Sequence, residues 1–317
     1  MTTLRRWRSV LGLLLVLAAA AFLGLTIARH WRQVVVFDWD IDWVLLVISV
    51  LALAGVLAWG VVVWKLVLDR FEHPPIPLVQ LLRIWYLSNL ARYVPGKIWQ
   101  FVGAAELARL AGISRAVILT SMVVHMGFSL LAAAITSLLV LHVNGLPEGV
   151  PIAGLLALAL AAFALVHPGL LNRALALVAR VTRRNVLGWD GRWRDGVLLL
   201  TLSVVSWMFY GAAFTLFFHS VVGTTPGAIL PLAGVNALSF LTGYVVFLTP
   251  AGLGAREGVM AVLLRPFAPA AVAAMVAVLS RLWTMVAELL GAAILILISG
   301  TGSHADSAHV GSRPKRR

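Results

Sequence analysis

From Trp43 to Leu68 the chain carries a single charge, Lys65. A helix needs about 20 apolar residues to cross the ~30 Å hydrocarbon core of a bilayer. Inside that core the backbone polar groups have to be satisfied within the segment itself, which leaves helices or closed barrels. Comparable runs cover 10–28, 116–141, 151–166, 196–219 and 270–299. These runs are apolar throughout rather than alternating, so the expected class is all-α integral membrane. Composition agrees: 61% of the residues are apolar and 12% charged, against about 45–50% and about 25% in soluble domains. A soluble enzyme, a disordered chain and a fibrous one are excluded. The run at 10–28 follows Arg5, Arg6 and Arg8 as a signal peptide would. It is longer than the usual apolar region of about 7–15 residues, so it reads as an uncleaved first span.

Charge orients the spans. The net charge is +13, and in membrane proteins an excess of Lys and Arg marks the cytoplasmic loops. The N-terminus, the 167–195 segment (Arg173, Arg180, Arg183, Arg184, Arg192, Arg194) and the tail (Arg313, Lys315, Arg316, Arg317) are arginine-rich and are placed inside. The connectors 29–42, 142–150 and 220–226 are neutral or negative and are placed outside. The basic charge therefore speaks of topology and anionic lipid, not of nucleic acid.

Two stretches fit neither loop nor span. Residues 78–114 are apolar but interrupted at Tyr93-Val94-Pro95-Gly96, and 228–266 are interrupted at Thr249-Pro250-Ala251-Gly252-Leu253-Gly254. Pro-Gly stops a helix, and the residue before a proline leaves the α region. With the other runs as six full crossings, the first stretch must start and end inside and the second must start and end outside. The result is a pair of opposed re-entrant hairpins within an inverted repeat, repeat one at about 43–141 and repeat two at about 196–299. Such a repeat is the pattern of secondary transporters. The alternative is that the interrupted stretches cross fully, giving eight crossings. The expected organisation is a single polytopic membrane domain over 1–300 and a disordered basic tail over 301–317.

Charges at membrane depth cost roughly 2.5–3.5 kcal/mol each on insertion scales and usually face a cavity or a partner. They are Arg92, Lys97 and Glu106 in the first hairpin, Arg256 and Glu257 in the second, and Arg281 and Glu288 in the last span. Arg281 and Glu288 are seven apart and share a helix face. These residues are the expected substrate-binding set, with Pro95, Gly96, Pro250, Gly252 and Gly254 at the hairpin tips. Backbone N–H groups exposed at such breaks attract phosphate or carboxylate. The competing reading is a buried ion pair of Arg281 with Glu257 or Glu288. Arg83, Arg109 and Arg115 read as interfacial anchors. The histidines show no H-E-x-x-H or other metal spacing, there is no cysteine, and no metal or cofactor is expected. His125, mid-span, reads as a satisfied core histidine, and Trp85 and Trp99 as packing residues beside the first hairpin. No catalytic constellation stands out.

Tyr93-Val94-Pro95-Gly96-Lys97, with Glu106 and Ala111-Gly112-Ile113-Ser114 downstream, resembles the first motif of the lysylphosphatidylglycerol synthase transmembrane-region family. Thr249-Pro250-Ala251-Gly252-Leu253-Gly254-Ala255-Arg256-Glu257, with Ser280-Arg281 downstream, resembles its second. The likeness runs over about 10–300. It implies a flippase-like membrane protein; in two-domain members the region is thought to flip an aminoacylated phospholipid made by a C-terminal transferase. After Gly300 only a short polar tail follows, so that activity is not expected here. His125 also departs from the charged pair that many members carry.

The resulting expectation is a bacterial inner-membrane protein, both termini cytoplasmic, that moves an anionic lipid between leaflets. The lipid would be a phospholipid or a polyprenyl-phosphate-linked glycan. Two alternatives stay open. One is a lipid-modifying transferase with Glu257 or Glu106 as general base, for which no donor motif is seen. The other is a non-catalytic partner of an envelope glycosyltransferase or synthase, docking through the 167–195 segment.

Overall fold

The structure is a computed structural model that describes residues 28, 31–37, 39, 41–71, 73–90, 99–143, 152–182, 186–223, 229–245 and 254–306. Its regular elements are all helical: α1 Trp31–Val36, α2 Trp43–Leu68, α3 Leu78–Leu90, α4 Trp99–Leu110, α5 Arg115–Val143, α6 Ile152–Val166, α7 Pro168–Thr182, α8 Trp193–Val222, α9 Ile229–Val245, α10 Ala255–Leu263 and α11 Ala270–Asp306. Four of them, α2, α5, α8 and α11, hold stretches long and apolar enough to cross a membrane, and a fifth crossing is available if the bent pair α6–α7 counts as one span. The chain is a multi-pass α-helical membrane protein.

Local chemistry sets the helix ends. Asp42 caps α2, its carboxylate accepting from the Leu45 N–H at 2.9 Å. Asp195 returns to the Arg192 N–H at 2.7 Å and closes the first turn of α8. Each contact satisfies one of the N–H groups that a helix start leaves without an internal partner. The α4–α5 corner turns at Gly112 with φ 74°. Beside it the Ile113 N–H reaches back to the Ala108 carbonyl at 2.8 Å, a six-to-one closure that favours glycine.

α2 and α8 lie side by side and antiparallel. The Asp42 N–H bonds the Ser220 carbonyl at one end, Trp59 Nε1 bonds Ser206 Oγ at mid-height, and Arg70 pairs with Asp195 at the other end. The two halves are thus inverted relative to each other. The packing survives exchange of the halves. α3 lies on α4 as α9 lies on α10; α9 packs on α5 as α3 packs on α11; α5 meets α8 as α11 meets α2. The hairpin mouths sit at opposite ends. Leu81 and Ala108 of the first join a buried cluster with Leu68 and Ile118, near Arg70. Leu232 and Leu264 of the second join one with Phe218 and Val272, near Ser220. The expected opposed hairpins and inverted repeat are therefore present; their tips, 91–98 and 246–253, lie outside the described residues.

The 167–195 segment differs from the expected loop. α6 has only 15 residues, about 22 Å at 1.5 Å per residue. It then bends by 90° into α7. Val166 lies against Gly196, and Asn172 clasps both backbone groups of Trp189 at 2.6 and 2.9 Å. The Asp190 N–H bonds the Arg70 carbonyl. α6 therefore returns the chain to the Arg70 end, as the topology requires, and α7 is anchored there. α7 buries Leu171 and Leu175 one turn apart and leaves Arg173, Leu177 and Arg180 exposed, a pattern suited to a helix lying in the interface. Charge counting reads those arginines as loop because it is blind to the four-residue spacing of the leucines between them.

Candidate functional site

A cavity of about 240 Å³ lies between the repeats. All eight helices of the two repeats line it: α2, α3, α4 and α5 from the first, α8, α9, α10 and α11 from the second. Matched helices contribute from both halves, which places the cavity on the axis that relates them. Its polar lining differs from side to side. Repeat one supplies Asn89, Gln100, His125 and Ser129, all uncharged types or histidine. Repeat two supplies Arg256, Arg281 and Glu288 together with Ser203, Ser206, Tyr210, Tyr244 and Thr284.

The charged wall is built from the start of α10. Gly254 holds φ at 87° just before the helix, and its N–H donates to Glu257 Oε2 at 2.7 Å. A positive φ is readily available to glycine alone. The carboxylate is thereby fixed beneath the first turn, where it also complements the helix dipole. Its other oxygen, Oε1, accepts from Arg281 Nη1 at 2.6 Å. Both side chains are largely buried, with 16% and 6% of their surface exposed. The pair sits well out of water, so losing one partner strands the other. Glu257 is thus a partner of Arg281, as the ion-pair reading expected. Glu288 is buried two turns along α11 and lines the cavity.

Arg256, next to Glu257, turns the other way. Its guanidinium carbon lies 6.0 Å from the Phe240 ring centroid, within cation–π range. Its Nη2 is buried and has no hydrogen-bond partner among the described residues. Gly243 makes room for it: a Cβ there would lie 2.8 Å from the Arg256 Cβ. Tyr244, one residue on, hydrogen-bonds Met126 across the repeats. On the opposite wall His125 is nine-tenths buried, edge-on to Trp85 with centroids 5.6 Å apart. Its Nδ1 also finds no partner among the described residues.

Of the expected site residues, Arg256, Arg281 and Glu288 come together on the cavity, with Glu257 directly behind them. Gly254 is the positive-φ residue that positions Glu257. Arg92, Lys97, Pro95, Gly96, Pro250 and Gly252 lie outside the described residues. Glu106 does not join the cavity. It sits near the C-terminal end of α4, exposed, and takes hydrogen bonds from Arg109 at 2.6 and 2.9 Å and from Arg115 at 2.7 Å. Arg109 and then Arg115 hold its carboxyl down to about 2. The cluster clasps the mouth of the first hairpin to the start of α5, and Arg109 and Arg115 stand at an exposed edge as anchors do. Sequence reasoning missed Asn89, Gln100 and Ser129, and it read His125 as a satisfied core residue. A polar side chain on an interrupted hairpin arm or facing span was the available signal; attention to formal charge passed over it.

The geometry offers an anion a buried guanidinium donor in a mostly apolar cleft. Among the described residues no three His, Cys, Asp or Glu gather to hold a metal. A profile of the family described as Lysylphosphatidylglycerol synthase TM region matches residues 8–291. The chain belongs to the lysylphosphatidylglycerol synthase transmembrane-region family. No curated protein and no solved structure was found to match it. The match to the lysylphosphatidylglycerol synthase transmembrane region spans both hairpins, the cavity residues and the arginine-bearing part of α11. Membership accords with a membrane protein of lipid metabolism or transport.

Proposed function

We propose that this family member carries an anionic lipid between the leaflets of a bacterial inner membrane, with both termini in the cytoplasm, and acts as a carrier rather than a catalyst. The observation that carries the reading is the Arg256 donor, buried and unpartnered among the described residues, on a side chain that lines a cavity between the inverted repeats. A guanidinium offers a fixed fork of donors and stays charged, which suits phosphate. The cavity is smaller than the about 300–1,000 Å³ typical of pockets for whole drug-sized ligands. It fits a head group, while the acyl chains stay in the bilayer. Rocking of one repeat against the other would expose the site to each side in turn.

The test is leaflet accessibility of acyl-NBD phosphatidylglycerol in proteoliposomes, read by dithionite quenching. The wild type is expected to move the probe faster than protein-free vesicles. Arg256→Gln is expected to reduce the rate to background while the thermal midpoint in detergent stays unchanged, and Arg256→Lys to rescue poorly. A wild-type rate equal to that of protein-free vesicles overturns the reading.

A further inference from the structure

Phosphate asks only for donors, and an ammonium group only for acceptors. A hydroxyl needs both. The repeat-one wall of the cavity supplies both. Asn89 and Gln100 carry amides that donate and accept, and the two ring nitrogens of neutral His125 do the same. The Ser203 hydroxyl gives its proton to the Leu199 carbonyl at 2.7 Å, and Ser206 gives its proton to Leu202 at 2.7 Å. Both serines line the cavity from repeat two; the Ser206 oxygen accepts from Trp59 Nε1, and the Ser203 oxygen keeps its acceptor capacity. The His125 Nδ1, nine-tenths buried and without a partner among the described residues, is a polar atom whose desolvation goes uncompensated until something enters. Flat apolar faces stand beside these groups. Trp207 and Tyr210 stack at 5.4 Å with 16° between their planes, and both line the cavity with Trp85. Such faces accept the C–H side of a ring that shows its hydroxyls elsewhere.

We infer that the carried lipid has a polyhydroxylated head group on a phosphodiester, of the glycosyl or inositol kind, with the phosphate at Arg256 and the hydroxyls against Asn89, Gln100 and His125. This assignment rests on the lipid-carrier reading and narrows it. It gives the two walls separate tasks: the guanidinium of repeat two holds the charge, and the amides and imidazole of repeat one select what is attached to it. Where a wall is built to hydrogen-bond hydroxyls, an analogue lacking them leaves buried polar groups unpaired, and discrimination becomes large.

The experiment compares two singly charged phosphodiesters that differ in hydroxyls, acyl-NBD phosphatidylinositol and acyl-NBD phosphatidylmethanol, in phosphatidylcholine proteoliposomes. The wild type is expected to move the inositol lipid at least roughly tenfold faster, the lower end of what hydroxyl-reading sites achieve. Gln100→Leu and His125→Phe are each expected to slow the inositol lipid and leave the methanol lipid unchanged. Because His125 is buried, thermal melting accompanies each variant; should His125→Phe fail to fold, Gln100→Leu and the wild-type ratio still decide. Equal wild-type rates for the two probes, both above protein-free vesicles, overturn the hydroxyl subsite and leave lipid carriage standing. If Gln100→Leu slows both probes alike, the subsite is likewise overturned. If neither probe moves faster than in protein-free vesicles, lipid carriage fails and the subsite with it.

Discussion

The two repeats share a plan and divide the chemistry. Each has a spanning helix, a two-armed hairpin and a second spanning helix, and their packing maps onto itself when the halves are exchanged. At the cavity the likeness ends: repeat two presents Arg256, Arg281 and Glu288, and repeat one presents Asn89, Gln100, His125 and Ser129. The acid–base clusters differ as well. In repeat two Glu257 and Arg281 meet in the interior; in repeat one Glu106, Arg109 and Arg115 meet at an exposed mouth. Architecture can be duplicated cheaply because helix packing depends on size and pattern. A buried charge cannot be duplicated without a second set of compensating partners.

The largest expected effect tests the interior cluster. Arg281→Ala leaves Glu257 buried with only the Gly254 N–H to hold it, and loss of one partner of such a pair costs about 3–5 kcal/mol. A detergent melting curve should show a large drop, and Arg281→Ala with Glu257→Gln should recover most of it. No recovery in that double variant would contradict the ion pair between Arg281 and Glu257.

Next in size is a comparison of glycines in α8 and α2. A Cβ at Gly211 would collide with Ala233 of α9, whereas one at Gly55 meets nothing within 4 Å. Gly211→Ala is expected to destabilise by about 1–3 kcal/mol, as overpacking does. Gly55→Ala should be neutral or stabilising by up to about 1 kcal/mol through helix propensity. The same melting assay checks both, and a loss at Gly55 would break the contrast.

The smallest effect belongs to Glu106. Its carboxyl is held down to about 2 from an ordinary 4.5 by Arg109 and Arg115. A depressed carboxylate contributes stability above its unfolded value and loses it as pH falls through the folded one. The clasp should thus be intact above about pH 4.5 and fade toward about 2, with no change across neutral pH. Solvent screens so exposed a cluster, so Glu106→Gln should barely shift the melting curve at pH 7. A change comparable to that of Arg281→Ala would overturn the view of Glu106 as a surface clasp.

Much of this fold was legible because the bilayer allows so few solutions. The long runs at Trp43–Leu68 and Ala270–Ser299 could only be helices, and the breaks at Pro95-Gly96 and Pro250–Gly254, combined with the arginine count, gave the opposed hairpins. α7 was not legible by charge, since Leu171 and Leu175 are interleaved with the arginines that mark a loop. The site was half legible. Arg256, Arg281 and Glu288 announced themselves through the cost of burying charge. Asn89, Gln100 and His125 carry no such cost signature, and only the packing of α3, α4 and α5 shows that they face one space. Which acid holds Arg281 depended on a helix start, where the positive φ of Gly254 turns Glu257 inward.

Glu257 has one carboxylate and two obligations, to the Gly254 amide that starts α10 and to Arg281. Any ligand that draws Arg281 to itself alters what the first turn of α10 feels, and binding free energies couple reciprocally. The factor by which such a ligand loosens or tightens that turn is the factor by which a change in the turn weakens or strengthens the ligand. Hydrogen exchange at the amides of the first turn of α10 is therefore a thermometer for occupancy of the cavity, readable without any label on the cargo.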